Sequence, residues 1–257
     1  MLEHSDKNYL NELIKNRRNI TYFSDKIPDE GIIKKLLSDT LSSAPVKNNI
    51  YQYKIEVYGP EHYEAKKALL LQTICNSKAN NVMNSILLKT GKVSSKEKIR
   101  EMKKKDREDL YGDIILSLNE WDLQDIYANY KTNSQVMAPY LLVYKLHRNR
   151  YVPPLRALRS SKNSIASKWY NRDAIVQGSM HAIILSLNAS YYDIDHGFCK
   201  CYKKIEKNSK NTIFNEDGND LLFMLGLGYR GVNPPGLLVK ESKKWEKPKP
   251  EKIYEWM

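Results

Sequence analysis

The stretch Arg17-Arg18-Asn19-Ile20-Thr21-Tyr22-Phe23 joins two helical patterns, and its reading decides how the rest of the chain is understood. Upstream, from about Lys7 to Arg18, Tyr9, Leu10, Leu13 and Ile14 fall at helical spacing, with Ser5 or Asp6 available as a cap. Downstream, Pro28-Asp29-Glu30 opens a second helix. Its Ile32, Ile33, Leu36, Leu37 and Leu41 form one apolar face before Ser42-Ser43-Ala44-Pro45 ends it. The two guanidiniums between these helices admit two readings. At a helix end they complement the dipole and stay solvated. Beside short polar side chains they also form a fork able to grip a phosphate and the polar edge of an aromatic ring.

Further along, Tyr51 to Tyr58 alternates residue types with Ile55 and Val57 on one face, a half-buried strand closed by Gly59-Pro60. Residues 61 to 89 then have helical character. Lys92 to Asp113 is dominated by charge, with Ile99, Met102 and Leu110 as sparse apolar positions. Glu97, Glu101, Asp106, Glu108 and Asp109 are interleaved with its lysines, which suits a solvated helix or lid better than a phosphate-tracking stripe. Ala138-Pro139-Tyr140-Leu141-Leu142-Val143-Tyr144 is a continuous apolar run of the kind found in a covered central strand. Arg172 to Leu187 is the most apolar helix, apolar around nearly its whole circumference, and is expected in the core or at a subunit interface. His181 in its middle reads as a hydrogen-bonded core histidine. From Leu221 an apolar strand runs into Gly226-Leu227-Gly228-Tyr229, followed by Pro234-Pro235-Gly236. The Pro- and Lys-containing tail ends Tyr254-Glu255-Trp256-Met257 and forms no compact element by itself, so docking onto another surface is expected.

Composition bounds these readings. The 257 residues are 41% hydrophobic and 28% charged, enough for a sizeable core and against wholesale disorder. Lys+Arg 42 against Asp+Glu 30 gives a formal charge of +12, which favours anionic partners without choosing among them. Cys75, Cys199 and Cys201 cannot all pair within the chain, which excludes a disulfide scaffold and favours a reducing compartment. No apolar stretch approaches a membrane span, and the polar start Met1-Leu2-Glu3-His4-Ser5-Asp6 is unlike a signal peptide. A cytoplasmic protein is expected.

Motif chemistry narrows the field further. The chain has no G-x-S-x-G elbow, H-E-x-x-H, Walker loop or strand-to-helix G-x-G-x-x-G. His196-Gly197-Phe198-Cys199-Lys200-Cys201 lacks the C-x₂₋₄-C spacing and second ligand pair of a structural zinc site, so no metal is assigned. Cys199 and Cys201 fit small apolar positions on one side of a strand instead.

The order of the remaining motifs resembles the FMN-dependent nitroreductase family. The arginine pair, the helix opening at Ile27-Pro28-Asp29-Glu30, and Ala44-Pro45-Val46-Lys47-Asn48-Asn49-Ile50-Tyr51-Gln52-Tyr53-Lys54-Ile55 are similar in spacing to that family's R-R-S-x-R-x-F and A-P-S-S-x-N-x-Q-P-W-x-F. Gly226-Leu227-Gly228-Tyr229 with Lys240 downstream resembles its G-x-G-Y-P ending and later phosphate-binding Lys or Arg, and helix 172–187 resembles its central dimer helix. This sequence departs from the family at Asn19, Thr21, Val46-Lys47, Tyr51 and Arg230.

The resemblance implies an α+β fold with a central antiparallel sheet flanked by helices. It implies a single nitroreductase-like domain over 1–257, with a charged helical insertion at about 92–135 and a tail at about 232–257 exchanged within a homodimer. It further implies FMN bound by Arg17, Arg18, Asn19 and Thr21, by Pro45, Val46, Lys47 and Asn49 from the other subunit, by backbone in the segment Asp193 to Gly197 (Asp195 and Gly197), and by Lys240 at the phosphate. Arg17 or Arg18 would stabilise the negative charge of the reduced ring, while the cofactor does its own chemistry, so no catalytic side chain is assigned. The implied activity is an NAD(P)H-dependent flavin oxidoreductase passing electrons from NADH or NADPH to a nitroaromatic, quinone or similar acceptor. Two alternatives stand beside it: flavin-cleaving dimethylbenzimidazole synthesis on the same fold, and a basic nucleic-acid-binding module without catalysis, the latter disfavoured by the interleaved acids.

Overall fold

A computed structural model describes residues 11–14, 17, 19–46, 51–72, 84–85, 87–88, 91–103, 106, 110, 134–147, 165–199 and 221–231. Its elements, in chain order, are α1 (Glu30–Ser43), β1 (Tyr53–Tyr58), α2 (Tyr63–Gln72), α3 (Lys96–Glu101), β2 (Tyr140–Leu146), α4 (Ile165–Tyr191), β3 (Asp195–Cys199) and β4 (Leu221–Gly228). Short 3-10 turns lie at Pro60–His62 and Ser134–Met137. The strands form one sheet in the order β1-β2-β4-β3, every neighbouring pair antiparallel. The expected α+β architecture with a central antiparallel sheet is thus present.

Helix α1 begins where its cap chemistry dictates. The Asp29 carboxylate accepts from the Ile32 amide at 3.0 Å, satisfying one of the orphan donors of the first turn. Ile33, Leu36 and Thr40 are buried at helical spacing against α4, where the Asn188 amide donates to the Thr40 hydroxyl at 3.1 Å.

Strand periodicity sorts the sheet into two faces. Tyr53 and Ile55 of β1, Tyr140, Leu142, Tyr144 and Leu146 of β2, and Phe223, Leu225 and Leu227 of β4 share the core with Ala174, Ala182, Leu185 and Ala189 of α4. The small α4 residues allow close approach: a Cβ on Gly178 would already lie 3.4 Å from the Phe223 ring. Tyr144 stacks on Phe223 with centroids 4.3 Å apart, and its hydroxyl is hydrogen-bonded to His181 Nδ1 at 2.9 Å. His181 is therefore a core histidine, as its place in an apolar helix implies. Burial pushes its pKa down to about 4.

The other face carries glycine. Gly197 of β3 and Gly226 of β4 are register partners, and Gly228 stands two residues further along the same side. A Cβ on Gly226 would meet the Gln135 carbonyl oxygen at 2.6 Å and the Ala138 Cβ at 2.7 Å. One on Gly228 would meet Pro139 at 2.7 Å and the Phe23 ring at 2.9 Å. The glycines let the 134–139 turn and Phe23 lie directly on the sheet. Buried Lys66 of α2 fastens that turn by donating to the Ala138 and Pro139 carbonyls at 2.9 and 3.0 Å, and desolvation lowers its pKa to about 8.

Several boundaries differ from the sequence reading. The helix read over 172–187 is longer than expected and runs from Ile165 to Tyr191. It also buries only one stripe within the chain: Ile175, Val176, Met180 and Ile183 are exposed. The helix expected from 61 opens with the 3-10 turn at Pro60, and α2 is defined to Gln72. The helix expected over 7–18 is described at 11–14, which are helical. Within the expected 92–135 insertion the described helix is the six-residue α3, and the tail 232–257 lies outside the described residues. No helix among the described residues is long and apolar enough to cross a membrane.

Two outcomes follow from this packing. Gly226→Ala is expected to lose about 1–3 kcal/mol in urea unfolding, because the added methyl meets backbone rather than a movable side-chain end. For His181 the unfolded state takes up its proton near pH 6.5 while the folded state resists until about pH 4, so stability should fall as pH drops through that window. His181→Gln, which retains an acceptor for Tyr144, should cost about 1–2 kcal/mol at pH 7 yet lose less between pH 7 and pH 5 than the parent chain does in the same unfolding measurement.

Candidate functional site

Helix α4 stops in a way that aims the chain into the site. The amides of Tyr192 and Ile194 both return to the Ala189 carbonyl, at 2.9 and 3.0 Å, and Asp193 takes a left-handed φ of 55°. Aspartate tolerates that region better than most residues. The turn buries Ile194 and delivers Asp195–Cys199 along β4.

The free side of β3 receives the arginine stretch. Asn19 forms a parallel bridge with His196, the Ile20 amide donates to the His196 carbonyl at 2.8 Å, and the Asn19 side-chain oxygen accepts from the Phe198 amide at 2.7 Å. Gly197 permits this approach, since a Cβ there would lie 2.6 Å from the Ile20 carbonyl oxygen. Further on, Phe23 bridges Arg230, the Ser24 amide donates to the Tyr229 carbonyl at 2.8 Å, and the Gly231 amide donates to the Tyr22 carbonyl at 3.1 Å. Three separate sequence features, the stretch from Arg17 to Phe23, the segment after α4 and the Gly226–Arg230 ending, therefore meet at one edge of the sheet.

Register assigns the side chains at that edge. His196 and Phe198 pair with Leu227 and Leu225, so they point to the α4 face, while Asp195 and Gly197 point to the glycine face. Asp195 is held there by Arg230 at 3.0 Å. On the α4 face the Arg17 guanidinium reaches His196 Nε2 at 3.1 Å. A guanidinium only donates, so Nε2 accepts and the neutral imidazole carries its proton on Nδ1. Burial, reinforced by the Arg17 charge, lowers the His196 pKa to about 4 and keeps that ring neutral at pH 7. Nδ1 is itself buried and has no hydrogen-bond partner among the described residues. Phe198 beside it packs on Phe223 at 5.1 Å between centroids yet remains 41% exposed.

Of the residues expected at a cofactor site, Arg17, Asn19 and Gly197 come together here. Thr21 is adjacent but exposed, and its carbonyl accepts from the Ser134 hydroxyl. Pro45 and Val46 follow the Ala44 cap of α1, exposed and half-buried, and among the described residues no hydrogen bond joins them to the arginine stretch. Arg18, Lys47, Asn49 and Lys240 lie outside the described residues. The sequence reading missed the His196 side chain. Alternation along Asp195–Cys199 was the available signal, since it separates His196 and Phe198 from Gly197.

Chemically, the edge offers a guanidinium without a carboxylate partner among the described residues, an unused buried N–H and an exposed aromatic ring. That set suits a ligand with acceptor atoms, negative charge and a flat apolar surface.

No protein-family model and no curated protein matches the chain. Solved structures do match in shape. A nitroreductase-like family protein from Bacillus cereus superposes with a TM-score of 0.50 at 13% identity, over 96% of this chain and 95% of that one. An FMN complex of a protein named as a nitroreductase, from Exiguobacterium sibiricum, gives 0.53 at 12% identity, over 96% and 97%. A protein named as an NAD(P)H:FMN oxidoreductase, from Staphylococcus epidermidis, gives 0.53 at 10% identity, over 96% and 95%. The antiparallel sheet, the long helix lying across it and the agreement over nearly the whole of each chain establish that this chain has the nitroreductase-like α+β fold.

Proposed function

We propose that the chain is an FMN-dependent oxidoreductase, a flavoprotein that takes hydride from NADH or NADPH and passes electrons to a nitroaromatic, quinone or similar acceptor. The observation that carries this reading is the meeting of Arg17, Asn19 and the Asp195–Gly197 segment at one sheet edge, in a fold whose Exiguobacterium relative was solved with FMN. The name of the Staphylococcus protein supports a nicotinamide donor. The unpartnered Nδ1–H of His196 is the test of fit, and a flavin, with acceptor atoms around its pyrimidine ring, fits it.

FMN, when bound, supplies the hydride chemistry itself. The chain's own residues bind and tune it. Arg17 places positive charge against the ring edge or phosphate, and Asn19 fixes the β3 backbone at Phe198. Arg18 and Lys240 are assigned to the phosphate, and Pro45, Val46, Lys47 and Asn49 to the flavin of the other subunit. No general base is assigned. Residues 1–257 act as one domain in this reading, in the cytoplasm, where nicotinamide donors are available.

The same reading requires a homodimer. Ile175, Val176, Met180 and Ile183 form an uncovered apolar stripe along α4, which a second copy of that helix would bury, with the tails from 232 exchanged.

Titration with FMN is expected to quench flavin fluorescence and raise the melting temperature; if saturating FMN does neither, the reading fails. Arg17→Ala should weaken FMN binding about tenfold or more, the effect of losing one charge-assisted hydrogen bond, while Lys34→Ala on the surface of α1 should leave it unchanged. In sedimentation the chain is expected to run as a dimer. Val176→Glu with Ile183→Glu should give monomer, and a parent chain that is monomeric at tens of micromolar would refute the subunit arrangement.

A further inference from the structure

We infer that His196 is a ligand-facing hydrogen-bond donor whose tautomer is fixed by Arg17, so that the arginine and the histidine act as one unit in holding the flavin. Knowledge of the acceptor rests on the flavin reading above; the tautomer does not.

Donor and acceptor chemistry at His196 fixes the tautomer. Arg17 donates to Nε2 at 3.1 Å, and a guanidinium has no lone pair to offer in return. The neutral imidazole must then present Nδ1–H on its other side. His196 is only 3% exposed, and Nδ1 finds no acceptor among the described residues. A buried N–H left unmade costs on the order of 1–3 kcal/mol, a cost that an incoming acceptor atom would remove. The surroundings place that acceptor in the candidate site. His196 shares its sheet face with half-exposed Phe198, and its carbonyl and the Phe198 amide are already taken by Ile20 and Asn19. Those two backbone groups are therefore occupied, and the imidazole N–H is an unused donor among the described residues.

The arrangement reverses the usual one, in which a carboxylate or carbonyl accepts from one ring nitrogen and leaves the other as an acceptor. Here a cation donates to the ring, which leaves the far nitrogen as a donor and withdraws electron density from it. An uncharged donor so polarised binds an acceptor atom in either oxidation state of a flavin, and more tightly in the reduced form, where negative charge accumulates near N1 and O2. Arg17 thereby acts on the ligand twice, by its own charge and through the proton it fixes on His196.

The test uses the whole chain and has a readout independent of turnover. Long-range proton–nitrogen correlation spectra of the ¹⁵N-histidine-labelled protein at pH 7 should show His196 as a single Nδ1–H tautomer. Arg17→Ala should lose that single pattern, and an Nε2–H tautomer in the parent chain would overturn the inference. On adding FMN, the Nδ1–H resonance should shift. His196→Phe should weaken oxidised FMN about tenfold and reduced FMN about a hundredfold, a further tenfold that lowers the two-electron potential by about 30 mV. His196→Gln, which keeps one acceptor and one donor, should recover part of both. If the parent chain binds FMN and His196→Phe binds it equally well at an unchanged potential, the inference fails and the flavin reading survives. A parent chain that binds no FMN fails the flavin reading itself, together with the acceptor assigned here, whatever the tautomer.

Discussion

The close approach on the glycine face of the sheet is the constraint from which the rest of the architecture follows. Gly197 and Gly226 stand opposite each other on neighbouring strands, so a patch of that face has no side chains. Backbone and small groups fill it: the Gln135 carbonyl, Ala138, Pro139 and the edge of Phe23. Because Phe23 is held down there, the stretch before it must run along the outer side of β3. Arg17 is thereby carried around the strand edge to the opposite face, where His196 meets it. The site on one face of the sheet is positioned by packing on the other.

Helix α4 supplies the second boundary, and its two sides obey different rules. Its inner stripe combines small residues, which let the backbone approach the aromatic strands, with polar groups that need partners once buried. Gln177 accepts from the Gln52 amide at 3.1 Å, His181 pairs with Tyr144, and the Ser186 hydroxyl donates back to the Ala182 carbonyl at 2.7 Å. Its outer stripe is bulky and apolar, and among the described residues nothing lies over it. A helix with a small-residue interior and a bulky exterior is the inverse of an ordinary surface helix, whose outer side is charged.

Much of this fold could be read in the sequence because its punctuation is chemical. Asp29 caps α1 where Pro28-Asp29-Glu30 predicts, the apolar run at 138–144 is a central strand, and the run into Gly226 is another. The site was legible as an order of motifs and not as a set of side chains. Arginines beside short polar residues can be recognised from composition, whereas the side on which β3 presents His196 depends on register against β4, a long-range pairing that no local pattern encodes. For the same reason the Asp195 carboxylate, grouped with Gly197 by proximity in sequence, turns out to be tied to Arg230. For the uncovered side of α4 the sequence left core and subunit interface open together. Apolar residues all around a helix say that it is buried, but not how much of the burial comes from its own chain.

Part of the positive charge gains an address where cations among the described residues are followed to their partners. Lys34 and Lys35 pair along α1 with Glu30 and Asp39, Lys54 and Lys145 share Glu56, Lys67 meets Glu64, and Arg230 meets Asp195. Most of these pairs are surface chemistry of small energetic consequence. Lys66 and Arg17 donate to neutral acceptors instead. Lys66 is enclosed, and its two carbonyl bonds hold the 134–139 turn, which makes it structural. Arg17 is half-buried at the β3 edge and meets only an imidazole, which leaves its charge uncompensated among the described residues and its other N–H groups directed elsewhere. A guanidinium held in place by a neutral acceptor, beside a buried donor with no partner among the described residues, is electrostatically incomplete, and an anionic ligand with a flat polar edge would complete it.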